Sequence, residues 1–242
     1  MNLEEFCERF QTLQEQRPKT PILLDAGKQL MQELLRDPAW FVEFLRNYVA
    51  GPAFLADQPA SVFDNEIRLY RSSDKSFILL AYLWDGGDLC AVHDHSAWGL
   101  IGPLLHPLRE VKYRRLDDGQ VDGYARLEQT SDLILQPGEV GIILPLDKGI
   151  YQTGAVDEPL TISLGVYGRS IRQGYIHFFD PPGKKVRRAT TRLLFKKVLA
   201  LRALASLEEV LGKRFLPSSL LESLPGDLVR DFRLPSTETS ST

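Results

Sequence analysis

The chain of 242 residues has the composition of an ordinary globular protein, with 43% hydrophobic and 25% charged residues. Its 29 basic and 32 acidic residues leave a net charge of -3, which excludes a nucleic-acid-coating protein and an acidic disordered chain. Cys7 and Cys90 are its two cysteines, so a disulfide scaffold and a Cys-rich zinc module are also excluded, and a bound metal would depend on the four histidines.

The sequence lacks the patterns of a signal peptide and of a membrane span. The amino-terminal residues are acidic and have no apolar stretch of the kind that a secretory signal needs. The longest apolar run, Phe77 to Trp84, is far shorter than the ~20 residues that cross a bilayer. We therefore expect a soluble protein of the reducing cytoplasm, without nucleic-acid or membrane partners.

Helical periodicity marks the first part of the chain, where apolar residues recur at helical spacing over residues 3–49. Pro18 and Pro21 separate a first helix from a second, and Pro38 begins a third, because proline is favoured at the start of a helix. Residues 1–60 are therefore expected to form a helical segment that packs on the next domain.

Residues 61–182 have the pattern of short strands. Turn sequences such as Asp85-Gly86-Gly87-Asp88 separate them, because glycine supplies the positive φ of a tight turn. The expected strands are Ile67–Arg71, Phe77–Trp84, Trp98–Leu105, Arg109–Arg115, Tyr124–Gln129, Val140–Leu144, Leu160–Tyr167 and Tyr175–Phe179. Short strands with no helix between them predict a mainly β domain, a jelly roll or small barrel rather than an α/β fold.

A helical period returns at Gly183 and continues through Leu211, with Gly212 as a C-cap. We expect a helical extension over residues 183–234 and a disordered tail over residues 235–242.

This extension is basic over residues 184–202, and its apolar stripe comprises Leu194, Val198, Leu201 and Ala205. A basic amphipathic helix can bind an anionic membrane or a partner. The interpretation we favour is that the apolar face packs on the barrel or on a second subunit, which makes a homodimer through this helix a hypothesis.

The densest chemical signal is His93-Asp94-His95. Residues i and i+2 of a strand point to the same face, so His93 and His95 can place two imidazoles over one point inside a barrel while Asp94 faces away. Neutral imidazole is the commonest metal ligand in proteins. The spacing allows a metal site, and the alternative is a chance pair of rings satisfied by hydrogen bonds.

The stretch Trp84–Gly102, which contains HDHSAWG, and the stretch Arg109–Arg115 resemble the cysteine dioxygenase family of cupins. Leu135–Glu139 and Ile162–Gly168 look like later blocks of this family, so the resemblance covers roughly residues 66–180. It implies a cupin double-stranded β-helix that holds one mononuclear ferrous ion, or another divalent metal. It also implies an enzyme that adds both atoms of molecular oxygen to a small thiol and yields a sulfinate.

The resemblance assigns the metal ligands by position. His93 and His95 match the first two iron ligands of the family, and its third histidine is replaced here by Tyr151. Two imidazoles alone hold iron poorly, so retention of the metal depends on Tyr151. A phenolate ligand would favour the ferric state, as in tyrosine-ligated haem.

The catalytic relay of the family, Ser-x-His-x-Tyr, becomes Ser163, Gly165 and Tyr167 in this chain. Its serine and tyrosine are therefore the expected catalytic residues, and its histidine is absent. The cysteine that some members of the family cross-link to this tyrosine falls on Gly99.

The same resemblance places a substrate-binding arginine ahead of the histidine pair. Arg68 and Arg71 are both candidates, because the guanidinium fork pairs with a carboxylate in bidentate fashion. Trp98 is a candidate for the pocket wall, although an aromatic residue in a barrel strand more often belongs to the core. The expected partners are a small thiol or carboxylate ligand and molecular oxygen.

Several other polar residues are expected to lie away from the site. His106 is predicted at a strand end facing solvent, and His177, on a late strand, is not expected to reach the barrel interior. Cys90 is predicted to face away from His93, because an odd number of residues separates them in a strand. Surface positions are expected for Glu110 and Asp132.

Three functional hypotheses follow from these replacements. The first is an active thiol dioxygenase with reduced or altered activity. The second is a cupin that has lost catalysis and serves as a ligand-binding or regulatory module. The third is a metalloenzyme with changed chemistry, in which the position at Tyr151 accepts an exogenous ligand.

Overall fold

The computed structural model describes residues 1–51, 58–157, 160–172 and 174–213, without the side chains of residues 198, 202, 205 and 209. Within these residues, the α-helices are Leu3–Glu15 (α1), Thr20–Leu35 (α2), Ala39–Ala50 (α3) and Arg192–Leu211 (α4). The strands are Glu66–Arg71 (β1), Phe77–Trp84 (β2), Val92–His93 (β3), Gly99–Leu105 (β4), Leu108–Arg115 (β5), Leu127–Leu135 (β6), Gly141–Ile143 (β7), Ile150–Ala155 (β8), Thr161–Gly168 (β9), Ile176–Asp180 (β10) and Lys185–Ala189 (β11). Predictions for residues 214–242, including the disordered tail, lie outside the described residues.

Two antiparallel sheets form the body of the protein, in the orders β1-β2-β9-β4-β7 and β11-β10-β3-β8-β5-β6. The strands β2 to β9 divide between them as 2-9-4-7 and 3-8-5-6, so that each sheet joins strands that are distant in sequence. This is the order of a jelly roll. The prediction of a mainly β, cupin-type double-stranded β-helix, with helices before and after the barrel, is confirmed.

Alternation along β2 separates the two cores of the molecule. Leu80 and Tyr82 face the other sheet, where they pack with residues such as Leu108 and Tyr151 in the barrel interior. Leu79 and Ala81 face outward and pack in a second core with residues of the amino-terminal helices, including Phe6, Phe10, Met31 and Leu34. The helical segment therefore covers the outer face of one sheet and leaves the barrel interior to the strands.

The first residues of the carboxy-terminal segment, which were predicted to be helical, form a strand instead. Residues 185–189 form β11, which pairs with β10 from Ile176 opposite Ala189 to Asp180 opposite Lys185. The turn between the strands is closed by the backbone N–H of Lys184, which donates to the carbonyl of Pro181 at 3.3 Å. The helical period predicted from Gly183 thus begins only at α4. The predicted C-cap is confirmed, since Gly212 has φ of 60°.

The surface of α4 is strongly apolar. Leu201 is buried and Leu194 is half-buried, whereas the side chains of Val198 and Ala205 are not described. The exposed apolar residues of this helix are Leu193, Phe195, Leu199, Leu207, Val210 and Leu211. A homodimer through this helix stays a prediction. Within the described part of the chain, we find no helix with the length and apolarity that a membrane crossing requires.

Candidate metal centre

His93, His95 and Tyr151 meet inside the barrel. β3 places His93 directly opposite Tyr151 of β8, and opposite residues of an antiparallel pair project to the same face. The Nε2 atoms of His93 and His95 are 3.0 Å apart, and the Nε2 atom of His95 lies 2.9 Å from the Tyr151 hydroxyl oxygen. The structure therefore brings together the three groups that the resemblance assigns as metal ligands.

Burial keeps both imidazoles in the form that binds metals. His93 is 2% exposed, and burial lowers its pKa to about 4. Burial also lowers the pKa of His95 well below its usual value, and the nearby His93 lowers it further. The Nδ1 atom of His93 lies 2.8 Å from the carbonyl oxygen of Ala91, so it carries the hydrogen and leaves the Nε2 lone pair for the centre of the cluster.

Two of the donor–donor separations match those of neighbouring ligands in an octahedral metal site. Metal–ligand bonds of about 2.1 Å at right angles place neighbouring donors about 3.0 Å apart. The observed separations are 3.0 and 2.9 Å. In the part of the chain that the structure describes, no group of three or more His, Cys, Asp or Glu side chains is placed to hold a metal. A three-ligand site here therefore requires the phenol of Tyr151.

Asp94 lies on the opposite side of this segment and anchors it to β10. The carboxylate is fully buried and accepts from the backbone N–H of His177 at 2.8 Å and from the Arg172 guanidinium at 2.5 Å. The Nδ1 atom of His177 is 3.0 Å from its second oxygen. Burial alone would raise the pKa of Asp94, but the bonds from His177 and Arg172 outweigh it and lower the pKa to about 2. His177 therefore faces away from the barrel interior.

A row of three buried tyrosines continues from the centre. The Tyr151 hydroxyl is hydrogen-bonded to that of Tyr167, whose ring stacks on His95 with centroids 4.9 Å apart. The hydroxyl oxygens of Tyr167 and Tyr82 are 3.4 Å apart, and Tyr82 donates to a carboxylate oxygen of Glu66 at 3.2 Å. Burial raises the pKa of all three tyrosines, so their hydroxyls keep their hydrogens at neutral pH.

Two glycines make room for Tyr167. A Cβ atom at Gly99 would lie 2.7 Å from ring carbons of Tyr167, and one at Gly165 would lie 2.6 Å from its ring. These are the positions at which the family resemblance places a cysteine and the relay histidine. The volume of both missing side chains is occupied by the tyrosine itself.

Ser163 and Trp98, two further predicted site residues, have other contacts. The buried hydroxyl of Ser163 accepts a hydrogen bond from the indole nitrogen of Trp84 at 2.8 Å. Trp98 packs in the outer core, 6.3 Å from the ring of Phe10 and against Gly168. Trp98 precedes β4, and its side chain packs towards the amino-terminal helices, which fits the alternative that this aromatic residue belongs to the core.

A cavity of 330 Å³, which we call the mouth cavity, leads to the centre. Its polar walls include His95, Tyr82, Tyr167, Glu66 and Arg172. His93 and Tyr151 lie deeper, around a void of only 10 Å³, where the ring of Phe63 covers His93 at 4.8 Å. The centre is thus reached from the side of His95.

Arg68 and Arg71 line a neighbouring cavity of 740 Å³, which we call the basic cavity. Its other charged walls are Asp74, Lys75, Arg169 and Arg172. The two cavities share the wall formed by Ile78, Gly168, Ser170, Arg172 and Gly174. Arg172, which follows the histidine pair in sequence, is the arginine that lines the mouth cavity together with His95. A pattern that looks for an arginine ahead of the pair misses it.

Glu110 lies deeper than predicted, and Cys90 lies closer to His93 than predicted. Glu110 is 1% exposed and points into the barrel, where one carboxylate oxygen is 3.1 Å from the Lys112 ammonium. Gly141 leaves space for it, since a Cβ there would be 2.6 Å from the other oxygen. Cys90 contacts the Nδ1 atom of His93 at 3.6 Å, because the chain between them is not a continuous strand. Burial raises the pKa of this thiol to about 12, so it stays protonated.

The remaining two residues fit their predictions. His106 lies in the turn after β4, where its Nδ1 atom is 2.9 Å from the carbonyl oxygen of Leu160. Asp132 is 35% exposed and forms a surface ion pair with Arg109 at 2.6 Å.

No family model matches the chain. Among solved structures, a cupin-like protein from Thermotoga maritima is 13% identical over 43% of this chain and 66% of that chain, with a TM-score of 0.32. DMSP lyase DddQ from Ruegeria pomeroyi is 14% identical over 44% of this chain and 47% of that chain, with a TM-score of 0.32. A cupin 2 conserved barrel domain protein from Salinispora arenicola is 13% identical over 46% and 82%, with a TM-score of 0.33.

The aligned region thus spans less than two thirds of each of the first two structures. The strand order described above carries the assignment to the cupin fold, and the likenesses add no argument about activity.

Proposed function

We propose that this chain is an iron-dependent cupin enzyme of the thiol dioxygenase type, in which His93, His95 and Tyr151 hold one iron ion. The observation that carries the proposal is the convergence of their donor atoms, at 2.9 and 3.0 Å, beside the mouth cavity. Bound iron would supply the redox chemistry that lets oxygen react with sulfur, so that R–SH and O2 give R–SO2H. Another divalent metal would bind the same donors.

The residues around the centre orient the ligands and limit access. Asp94 holds the histidine segment through Arg172 and His177, and Phe63 shields His93 from water. Tyr167 keeps its hydrogen at neutral pH and lies at the edge of the mouth cavity. Its hydroxyl is therefore placed to form a hydrogen bond with a ligand that binds there. Ser163 supports this wall indirectly, through the Trp84 indole.

The substrate in this proposal is a small thiol with an anionic group. Arg172 belongs to both cavities, and Arg68 and Arg71 lie beyond the shared wall. A carboxylate on the substrate would meet guanidinium groups there, which bind carboxylates in bidentate fashion.

Iron reconstitution followed by oxygen uptake with a panel of thiols tests the proposal. We expect one iron per chain, loss of iron in His93→Ala, and retention of iron in His106→Ala, a matched histidine far from the centre. Oxygen uptake should depend on both thiol and iron. Iron-loaded protein that consumes no oxygen with any thiol of the panel would refute the proposed activity.

A second candidate is a cupin without catalysis that binds a small carboxylate ligand. The observation in its favour is that the Nε2 atom of His95 lies within hydrogen-bond distance of both the Nε2 atom of His93 and the Tyr151 hydroxyl, so the cluster can hold together by hydrogen bonding without a metal. Protein that purifies without metal, and whose melting temperature rises with a carboxylate ligand, would favour this candidate. Loss of that rise on metal loading would argue against it.

The proposal also covers the cellular location and the oligomeric state of the protein. We infer a cytoplasmic protein, and a homodimer in which the exposed apolar residues of α4 are covered by a second copy. Light scattering of the wild type and of a Phe195→Glu variant tests the dimer. We expect the molar mass of a dimer for the wild type and a lower molar mass for the variant.

A further inference from the structure

Glu66 is the single carboxylate among the described residues that line the mouth cavity. It is half-buried at the start of β1 and accepts hydrogen bonds from Ser61 and Tyr82. The resemblance to a known family assigns no role to this position. Its neighbour Tyr82 continues to Tyr167, which stacks on His95, so a carboxylate stands at the outer end of the hydroxyl row.

The proposed reaction needs a group that takes up a proton. A thiol has a pKa of about 8.5 and is mostly protonated at neutral pH, whereas it binds a metal as a thiolate. The imidazole lone pairs of the centre are committed to the metal. Burial raises the pKa of the tyrosine hydroxyls, so they already hold their hydrogens and can pass a proton on but not store a second one. A carboxylate at the end of the row can keep it.

The hydrogen-bond directions suit such a transfer. A hydroxyl has one hydrogen, and Tyr82 donates it to ionised Glu66, so the hydrogen between the two phenols comes from Tyr167. Tyr167 then has a free lone pair that can accept a proton from a ligand in the cavity. The groups that face Glu66 are Ser61 from the preceding loop, Tyr82 from β2 and, around the same cavity, His95, Tyr167, Arg172 and Tyr175.

We propose that Glu66 is the acid–base group at the outer end of the hydroxyl row, which takes up the proton that a thiol loses when it binds as an anion at the centre. The S–H bond breaks, its electron pair stays on sulfur, and its proton passes to Tyr167. The hydrogen of Tyr167 passes to Tyr82 and that of Tyr82 to Glu66. One thiol and one carboxylate thus give one thiolate and one carboxylic acid. This inference rests on the proposed function, because it needs a metal that binds thiolate.

Burial supports this role, because it raises the pKa of Glu66 and brings it closer to neutral pH, where a base is most effective. The rival interpretation is a structural one, in which Glu66 only accepts the hydrogen bonds of Ser61 and Tyr82. The two interpretations differ in the number of protons that ligand binding releases.

The test uses full-length protein loaded with Co2+ under argon and 2-mercaptoethanol as the probe. Thiolate-to-cobalt absorption follows binding, and calorimetry in two buffers of different ionisation enthalpy counts the protons released. At about pH 7 the wild type is expected to release far less than one proton, and Glu66→Gln about one. Glu128→Gln, an exposed carboxylate on β6, is the matched control and should behave as the wild type.

The Tyr82→Phe variant distinguishes the route of the proton, through the Tyr82 hydroxyl, from its final acceptor, Glu66. We expect the same proton count as in the wild type but a slower rise of the absorption band, because the hydroxyl that joins Tyr167 to Glu66 is gone. Release of one proton by the wild type would overturn the proposal even if a variant failed to fold. Equal proton counts in the wild type and Glu66→Gln would also overturn it. An unchanged rate in Tyr82→Phe would overturn the relay. Absence of the band in the wild type would refute the proposed function itself, and this inference with it.

Discussion

Tyr167 lies flat against Gly165, two residues before it in β9, so that a Cβ atom at Gly165 would be 2.6 Å from the ring and 2.8 Å from the hydroxyl oxygen. The side chain folds back over its own strand and reaches His95, on which it stacks at an interplanar angle of 11°. The position of this hydroxyl beside the centre therefore depends on the absence of a side chain at Gly165.

Gly165→Ala is expected to destabilise the protein by about 1–3 kcal/mol, because the added methyl group overpacks a buried ring. Urea unfolding of a double-mutant cycle measures the effect. The same substitution in a Tyr167→Ala background should cost less, since the ring that it meets has been removed. An equal cost in both backgrounds would show that Tyr167 is not the cause.

Tyr151→Phe is expected to lower iron affinity at least about tenfold, because it leaves two imidazoles as protein ligands. The phenolate-to-iron absorption band of the ferric protein should also disappear. Tyr151→His should lack this band but retain ferrous iron more tightly than the wild type. Tyr124→Phe, at a half-buried tyrosine that lines neither cavity, serves as the control. A ferric band that survives in Tyr151→Phe would remove Tyr151 from the ligand set.

Asp94→Ala is expected to cost about 3–5 kcal/mol, because it leaves the Arg172 guanidinium, which is 12% exposed, without its buried partner. The matched control is Asp132→Ala, which breaks the half-exposed pair with Arg109 and should cost about 0–1 kcal/mol. Chemical unfolding of both variants gives the comparison. Similar losses in the two would contradict the importance of burial at Asp94.

The lowered pKa of Asp117 leads us to expect that the protein loses stability in acid. Its burial would raise its pKa, but hydrogen bonds from Arg115 and from the backbone N–H groups of Arg126 and Gly119 lower it to about 2. A depressed pKa contributes stability above the unfolded value of about 3.9, and this contribution is lost as the pH falls through about 2. The free energy of unfolding should therefore fall less between about pH 5 and pH 2 in Asp117→Asn than in the wild type. Asp118→Asn, the next residue, should follow the wild type.

The barrel could be predicted from sequence because its strands carry strong local patterns. Phe77–Trp84 is a continuous apolar run, and the glycine turns that bound the strands are explicit. β8 is not among the strands expected from the sequence, because Ile150–Ala155 is a short run with polar residues and a glycine within it. β11 is a short basic segment beside a region of helical spacing, and it is held by β10 and by backbone bonds from residues 123–125, which the local sequence does not reveal.

The meeting of His93, His95 and Tyr151 was predictable through the resemblance to a family. The interior position of Glu110 was not, because it depends on the glycine that faces it from β7. The place of Arg172 in the mouth cavity was equally hidden. It results from a tertiary contact with Asp94, and no spacing along the chain expresses such a contact.

The pairing of His93 has a consequence for the order of events during folding. Its strand partners are Tyr151 of β8 and Phe178 of β10, both of which come late in the chain. Contacts between distant segments form slowly, because the intervening loop must first lose its conformational freedom. A nascent chain that has emerged only as far as β7 has both histidines but neither of the strands that hold them. Iron capture would then be a late step of maturation, and a chain interrupted before residue 180 would fold, if at all, without a place for the ion.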